Sequence, residues 1–247
     1  NSIAELRHAK VIFVIGSNTT EAHPVIGLAI KEAVVKNGAK LIVADPRTID
    51  LVRFATVHMQ QQPGTDVALI SAMMNVILGE GLCDEQFIAE RTEGFEELRP
   101  VLAAYTPESV AAITTVPADT IRAAARIYGS GETASIVYSM GITQHTTGTD
   151  NVLTLANLAM ITGNVGKESV GVNPLRGQNN VQGACDMGAL PNVYPGYQPV
   201  EDATIQETFE AAWETKLSGT NGLTVVEMMH AFEQGALKAL YIMGENP

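Results

Sequence analysis

The sequence is poor in cysteine and in positive charge. Its two cysteines, Cys83 and Cys185, form no C-x-x-C pair, so we expect this chain to hold no iron–sulfur cluster or structural zinc. It has 15 Lys and Arg against 27 Asp and Glu, a net charge of −12 that disfavours nucleic acid as a partner, because phosphate backbones would be repelled. No apolar run reaches the roughly 18 residues needed to span a bilayer, so we expect no membrane span in this chain.

The two ends of the sequence resemble cut ends. The chain begins with Asn1 and ends on an apolar run, 237–243, that leads into a turn at Gly244. We interpret the chain as an internal piece of a longer protein. Because any upstream region is missing, the lack of a visible signal peptide says little about compartment.

Short apolar runs rich in β-branched residues alternate with helix-like stretches. Strand, helix and strand in succession indicate parallel pairing. The predicted fold class is therefore α/β, a doubly wound and mostly parallel sheet followed by the start of a second α/β domain that is incomplete. We place these domains at 1–178 and 179–247. The predicted strands are 10–15, 39–44, 56–61, 134–140 and 237–243.

Regular patterning stops between 163 and 199, where Gly, Asn, Gln and Pro are frequent. So long a stretch without helix or strand is unusual in a compact domain, and it is either a linker or a loop with a function. Linkers are poor in apolar residues, whereas this stretch contains Val172, Leu175, Met187 and Tyr194. This composition favours an ordered, functional loop.

Two predicted strand ends carry small and polar residues. The first is the loop 16–21 together with Asp45, at the position where open α/β sheets bind nucleotides, although the glycine pattern G-x-G-x-x-G is absent. A plain connecting loop explains it equally well, and Glu21 suits a base or sugar donor better than a phosphate. The second is 139–145, for which turn formation is the simpler interpretation. His145 by itself indicates a surface or hydrogen-bonding residue more than a ligand.

The segment 171–188 contains one cation, Arg176, and five amide side chains. Glycines allow the backbone to approach a flat ligand, and a guanidinium can hold a carboxylate through two parallel hydrogen bonds. The composition alone also fits a solvent-facing arginine. Cys185 has neither a nearby histidine nor a partner cysteine in the sequence, so we interpret it as a packed thiol.

The run 173–188, Asn-Pro-Leu-Arg-Gly-Gln-Asn-Asn-Val-Gln-Gly-Ala-Cys-Asp-Met-Gly, resembles the substrate-arginine segment of molybdopterin-dependent formate dehydrogenase catalytic subunits. Other segments resemble the same family in the same order, so the resemblance covers nearly the whole chain. Among them are 16–24, 44–47, 91–96, 105–110, 140–144, 158–164, 190–198 and 243–247.

The resemblance implies a bis-molybdopterin guanine dinucleotide cofactor with Mo or W, in which two α/β domains each hold one dinucleotide. It implies that Arg176 orients formate, and that Gly177 and Gln178 line the same pocket. The positions matching the family's dinucleotide contacts are Asn18, Glu21, Asp45, Arg47, Gly64, Asp66, Gly141 and Gln144.

The implied reaction is the oxidation of formate to carbon dioxide, with electrons passing to other subunits or domains of a cytoplasmic complex. In the family the metal ligand, a cysteine or selenocysteine, and the four-cysteine motif for a 4Fe–4S cluster precede the region matched here. We therefore expect no metal ligand in this chain and no activity from this chain alone.

Two related hypotheses compete with this one. A cofactor-free electron-transfer scaffold, as in the large iron–sulfur subunit of respiratory NADH dehydrogenases, needs no substrate arginine. A nitrate reductase shares the general architecture. The run Pro-Leu-Arg-Gly-Gln-Asn-Asn around Arg176 favours the formate enzyme over both.

Overall fold

The computed structural model describes residues 2–244. They divide into two compact units, the first ending at Leu175 and the second starting at Arg176.

The first unit is built on a five-stranded sheet in which every pairing is parallel. The strand order is β3-β2-β1-β4-β5, so the chain starts in the middle and winds outward in both directions. This arrangement confirms the predicted α/β class, and it places a topological switch point between β1 and β4. The strands are β1 Val11–Ile15, β2 Lys40–Ala44, β3 Val57–Met59, β4 Ala134–Tyr138 and β5 Gly171–Pro174.

The sheet buries both faces, which explains why its strands are continuous apolar runs rather than alternating ones. All five residues of β1 are buried. Phe13 and Ile15 point into one core with helices from the β3–β4 and β4–β5 connections, while Ile12 and Val14 point into the other with the β1–β2 helix. The predicted central strands are therefore confirmed.

The helices begin and end at residues with clear local causes. The β1–β2 helix has Pro24 in its first turn, where no backbone donor is needed, and stops at Gly38 with φ +72°. The helices of the first unit are α1 Thr19–Ala22, α2 Pro24–Asn37, α3 Asp66–Gly79, α4 Glu85–Arg91, α5 Phe95–Ala103, α6 Pro107–Thr114, α7 Ala118–Gly129, α8 Met140–Thr143 and α9 Gly148–Ile161, with 3-10 turns at Glu5–His8 and Asp50–Phe54.

The stretch 163–199, predicted to lack regular elements, contains several short ones. Strand β5 pairs with β4 along its whole length, from Gly171 opposite Ser135 to Pro174 opposite Tyr138. Glycine and proline have low strand propensity, so the sequence does not predict β5. Pairing with β4 keeps this segment extended. The hydrogen bonding between β5 and β4 continues one residue further, because the Leu175 backbone N–H donates to the Tyr138 oxygen at 2.8 Å.

The second unit has a small aromatic centre. The Tyr194 ring stacks on Phe209 at 4.8 Å between centroids and meets Trp213 edge-on at 6.2 Å. The strand predicted at 237–243 is wrong, since this run has no strand partner in the part of the chain that the structure describes. The elements of this unit are α10 Val181–Asp186, β6 Val193–Tyr194, β7 Gln198–Pro199, α11 Ala203–Trp213 and α12 Val225–Glu233.

Across the described residues, every helix is too short or too polar to cross a lipid bilayer.

Candidate cofactor site

A cavity of about 300 Å³ lies where the carboxyl ends of β1, β2, β3 and β4 meet. Parallel strands end at the same edge of a sheet, so the four loops that follow them converge there. The cavity therefore occupies the switch point, where open α/β sheets bind their ligands. It is lined by Gly16, Ser17, Asn18, Ala22, Asp45, Pro46, Arg47, Gln61, Pro63, Asp66, Ser139, Met140, Gly141 and His145.

The main chain crosses itself tightly at Gly16 and Gly141. The Gly141 N–H donates to the Gly16 oxygen at 3.1 Å. A Cβ on Gly141 would lie 2.6 Å from that oxygen, and one on Gly16 would lie 2.7 Å from the Gly141 carbonyl carbon. Gly16 also has φ +56°, a conformation that glycine adopts at little cost. Both glycines are needed for the ends of β1 and β4 to meet.

Asp45 follows β2 and is 3% exposed. Its Oδ1 accepts a hydrogen bond from the Arg47 backbone N–H at 2.8 Å, which orients the carboxylate. The Arg47 Nε lies 3.5 Å from the same oxygen, but its side chain is 68% exposed. Such an exposed ion pair contributes little stability, so Arg47 is free to reorient toward a ligand.

Asp66 starts α3 and is buried, with 3% of its surface exposed. The Gln61 Nε2 donates to its Oδ1 at 3.1 Å. Burial raises the pKa of Asp66 above its ordinary value, and the nearby Asp45 charge adds to this, while the Gln61 hydrogen bond and His145 oppose it. A buried carboxylate with a raised pKa in a cavity is typical of a ligand-binding position.

Two polar atoms that border the cavity are buried without a hydrogen-bond partner, the Ser17 Oγ and the Gln61 Oε1. Buried polar atoms are normally satisfied, and leaving one unpaired costs about 1–3 kcal/mol. Their residues line the cavity, while the two atoms themselves are buried from its open space. The lining as a whole fits the sugar and base of a nucleotide better than a phosphate, because two carboxylates border the same space.

The structure brings five of the sequence-predicted contacts to this cavity: Asn18, Asp45, Arg47, Asp66 and Gly141. The three others lie outside its lining. Glu21 is exposed on α1, and Gly64 forms an exposed turn with φ +82°. The Gln144 amide is directed back to its own helix, donating to the Met140 sulfur at 3.4 Å.

Arg176, predicted to bind substrate, and Gly177 and Gln178, predicted to bind the cofactor in the same pocket, open the second unit and are exposed. Arg176 follows Leu175, whose backbone oxygen accepts a hydrogen bond from the Ser139 hydroxyl at 3.0 Å. In residues 2–244, no three His, Cys, Asp or Glu side chains are grouped so as to hold a metal ion.

Two residues of the cavity lining, Gln61 and His145, were not predicted from the sequence to belong to a binding site. Gln61 directly follows the exposed Gln60 after β3, so it looks like loop polarity, although it is 3% exposed. His145 makes the hydrogen bond expected of it, its Nε2 lying 2.9 Å from the Gly141 oxygen, and it also borders the cavity. The sequence feature that could have identified them is their position, since Gln61 lies two residues after β3 and His145 two residues after α8, the short helix that follows β4.

The sheet order and the cavity define the class, a doubly wound α/β domain with a cavity at its switch point, where such sheets bind ligands. The chain belongs to the molybdopterin oxidoreductase family, whose model matches residues 1–247.

Its relatives include formate dehydrogenases. It is 55% identical to the F420-dependent formate dehydrogenase subunit alpha of Methanocaldococcus jannaschii, over 100% of this chain and 36% of that protein. It is 48% identical to formate dehydrogenase H of Escherichia coli, over 100% of this chain and 34% of that protein. The chain thus spans about a third of the length of these relatives.

A solved structure shares the fold. Acetylene hydratase from Pelobacter acetylenicus superimposes with a TM-score of 0.60 at 29% identity, covering 65% of this chain and 24% of that one.

Proposed function

We propose that this chain is part of the catalytic subunit of a formate dehydrogenase that oxidises formate to carbon dioxide. The identity of 48–55% to formate dehydrogenase subunits over the whole chain carries this proposal. The switch-point cavity supports the narrower part of it, a cofactor bound at the carboxyl ends of β1 to β4.

In this proposal residues 1–178 hold one molybdopterin guanine dinucleotide, and 179–247 begin the domain for the second. Asp45 accepts hydrogen bonds from ribose hydroxyls, and the Ser17 hydroxyl is satisfied by the same ligand. Asn18, Arg47 and Gly141 border that space. The bound cofactor, with Mo or W, supplies the redox chemistry, and the residues of this chain bind and orient it.

Arg176 is the proposed substrate-binding residue. A guanidinium holds a carboxylate by two parallel hydrogen bonds, so it fixes the direction of the formate C–H bond, and the benefit is one of positioning. Gly177 and Gln178 follow it in the same pocket. Its chain neighbour Leu175 is fixed to the sheet by hydrogen bonds from Leu175 N–H to Tyr138 and from Ser139 to Leu175.

The remaining proposals concern the whole protein. A 4Fe–4S cluster and a cysteine or selenocysteine metal ligand lie outside this chain, electrons pass to partner subunits or domains, and the complex is cytoplasmic. This chain alone is accordingly inactive.

The test is Arg176→Lys in the full-length, cofactor-loaded subunit. Lysine keeps the charge but loses the two-pronged geometry, so kcat/KM for formate should fall by about 100-fold or more. Metal and guanine nucleotide content should not change. The matched control is Arg53→Lys, an exposed arginine paired with Asp50 on the surface, which should leave kcat/KM within about twofold. A loss below about threefold at position 176 would contradict the substrate role, and the absence of formate oxidation by the unmodified subunit would favour the scaffold hypothesis.

A further inference from the structure

Ser139 lies between strand β4 and the short helix α8, and its hydroxyl does not bond to that helix. It occupies the N-cap position of α8, where a serine hydroxyl ordinarily accepts a hydrogen bond from the first turn. Its side chain makes no such bond. Instead the Ser139 Oγ donates to the Leu175 backbone oxygen at 3.0 Å, although the two residues are 36 positions apart in the sequence. The hydroxyl therefore holds the chain just after β5.

The Leu175 oxygen belongs to the peptide group that joins Leu175 to Arg176. A peptide group is planar, so fixing its oxygen also fixes the direction in which the next Cα follows. The Leu175 N–H is held as well, since it donates to the Tyr138 oxygen at 2.8 Å. Two consecutive residues at the end of β4, Tyr138 and Ser139, thus bind both polar groups of the Leu175 backbone and determine where the Arg176 backbone begins.

The Leu175 side chain strengthens this attachment. It packs against the core that contains Ile12 and Val14, whereas Pro174 before it and residues 176–180 after it are exposed. Leu175 is therefore the last residue before Arg176 that is both packed in the first unit and hydrogen-bonded to its sheet. The direction set at Leu175 passes to the arginine through a single planar peptide group.

We infer that Ser139 is a positioning residue for formate oxidation: its hydroxyl orients the Leu175–Arg176 peptide and so places the Arg176 guanidinium for the formate carboxylate. The inference rests on the proposed function, which gives Arg176 its substrate. A guanidinium forms two parallel hydrogen bonds to a carboxylate only in one orientation. Rotation of the peptide that carries it would lower both the affinity for formate and the fraction of bound formate in the reactive direction.

The test compares Ser139→Ala with the unmodified protein in the full-length, cofactor-loaded subunit. Alanine removes only the hydroxyl, so the Leu175 oxygen loses its donor. We expect kcat/KM for formate to fall by about fivefold, a factor that corresponds to one hydrogen bond. KM should rise and kcat should fall, while metal and guanine nucleotide content stay unchanged.

Ser130→Ala is the matched control. The Ser130 hydroxyl also donates to a backbone oxygen, that of Arg126 at 2.6 Å. Ser130 lies before β4, however, whereas Ser139 follows it, so the two hydroxyls are at opposite ends of the same strand. The control should leave kcat/KM for formate within about twofold, because it is far from the Leu175–Arg176 peptide in the fold.

Three readouts separate positioning from a general structural defect. In the Arg176→Lys background, Ser139→Ala should change kcat/KM by less than about twofold, because the hydroxyl acts through the arginine already removed. Ser139→Thr keeps the hydroxyl at an extended backbone position that suits a β-branched residue, and it should recover most of the loss. In hydrogen exchange, the Leu175 amide should exchange faster in Ser139→Ala, while the β1 amides stay protected.

The outcomes distinguish a failure of this inference from a failure of the proposed function. If Arg176→Lys leaves formate oxidation intact, the substrate role of Arg176 in the proposed function fails. If Arg176→Lys is impaired but Ser139→Ala loses less than about twofold, the inference about Ser139 is overturned. It is equally overturned if Ser139→Ala causes the same loss in both backgrounds, or if the Leu175 amide exchanges as before. Should Ser139→Ala not fold, Ser139→Cys keeps a weaker donor, and it should show a smaller loss in the same direction. No loss in that variant would also refute the inference.

Discussion

Gly141→Ala should lower the free energy of unfolding, because the added methyl group would collide with main-chain atoms beside the candidate site. The new Cβ would lie 2.6 Å from the Gly16 oxygen and 2.7 Å from the Gly16 Cα. Both are backbone atoms, so no side-chain rotation can relieve the contact. The end of β4 must move away from the end of β1.

The cost can be estimated from two contributions. Forcing an extra methyl group into a packed site costs about 1–3 kcal/mol. The displaced Gly141 N–H also loses its 3.1 Å hydrogen bond to the Gly16 oxygen, a further contribution of about 0.5–1.5 kcal/mol. We therefore expect the free energy of unfolding to fall by about 2–4 kcal/mol.

Urea unfolding followed by circular dichroism measures this change. Gly79→Ala is the control, because Gly79 is the last residue of α3 and no atom lies within 4 Å of a Cβ placed there. The control should stabilise the protein by about 0.5–1 kcal/mol, through the higher helix propensity of alanine. If Gly141→Ala changes stability by less than about 0.5 kcal/mol, the close main-chain crossing does not constrain this position as we infer.

Two further predictions concern buried polar groups beside the site. Because burial raises the pKa of Asp66, the folded state binds a proton more tightly than the unfolded state, and stability should fall as pH rises from the unfolded pKa through the folded one. Asp66→Asn should remove this component in unfolding experiments between pH 4 and 7, and an unchanged pH profile would contradict it. The Asn151 side chain is 1% exposed and donates to the Ile142 oxygen at 2.9 Å. Asn151→Ala should cost about 1–3 kcal/mol in urea unfolding by leaving that buried carbonyl unpaired, and a loss below about 0.5 kcal/mol would argue against the bond.

The central part of the fold could be predicted from sequence because the residues that determine each strand and helix end lie within or next to that element. The β1 and β2 runs are apolar and β-branched, and Pro24 and Gly38 mark the ends of the helix between them. Strand–helix–strand units imply parallel strands, and parallel strands have their carboxyl ends at the same edge of the sheet. Positions such as Asp45 and Gly141 could then be assigned to that edge without knowledge of any contact.

The rest depends on partners far away in the chain. Strand β5 contains Gly171 and Pro174 and is extended because β4 lies beside it. Gln61 resembles a loop residue until its burial and its bond to Asp66 are known. The run 237–243 has the composition of a strand, but composition supplies no neighbour with which to pair.

The central position of β1 has a consequence for the order in which the protein can fold. Strand β1 pairs on one side with β2, its near neighbour in sequence, and on the other with β4, which follows only after α3 to α7. Closing that long loop is slow relative to forming the β1–α2–β2 unit. During synthesis the floor of the cavity is incomplete until Gly141 has left the ribosome and reached Gly16, so a ligand of this cavity meets a complete site only after β4 has paired with β1.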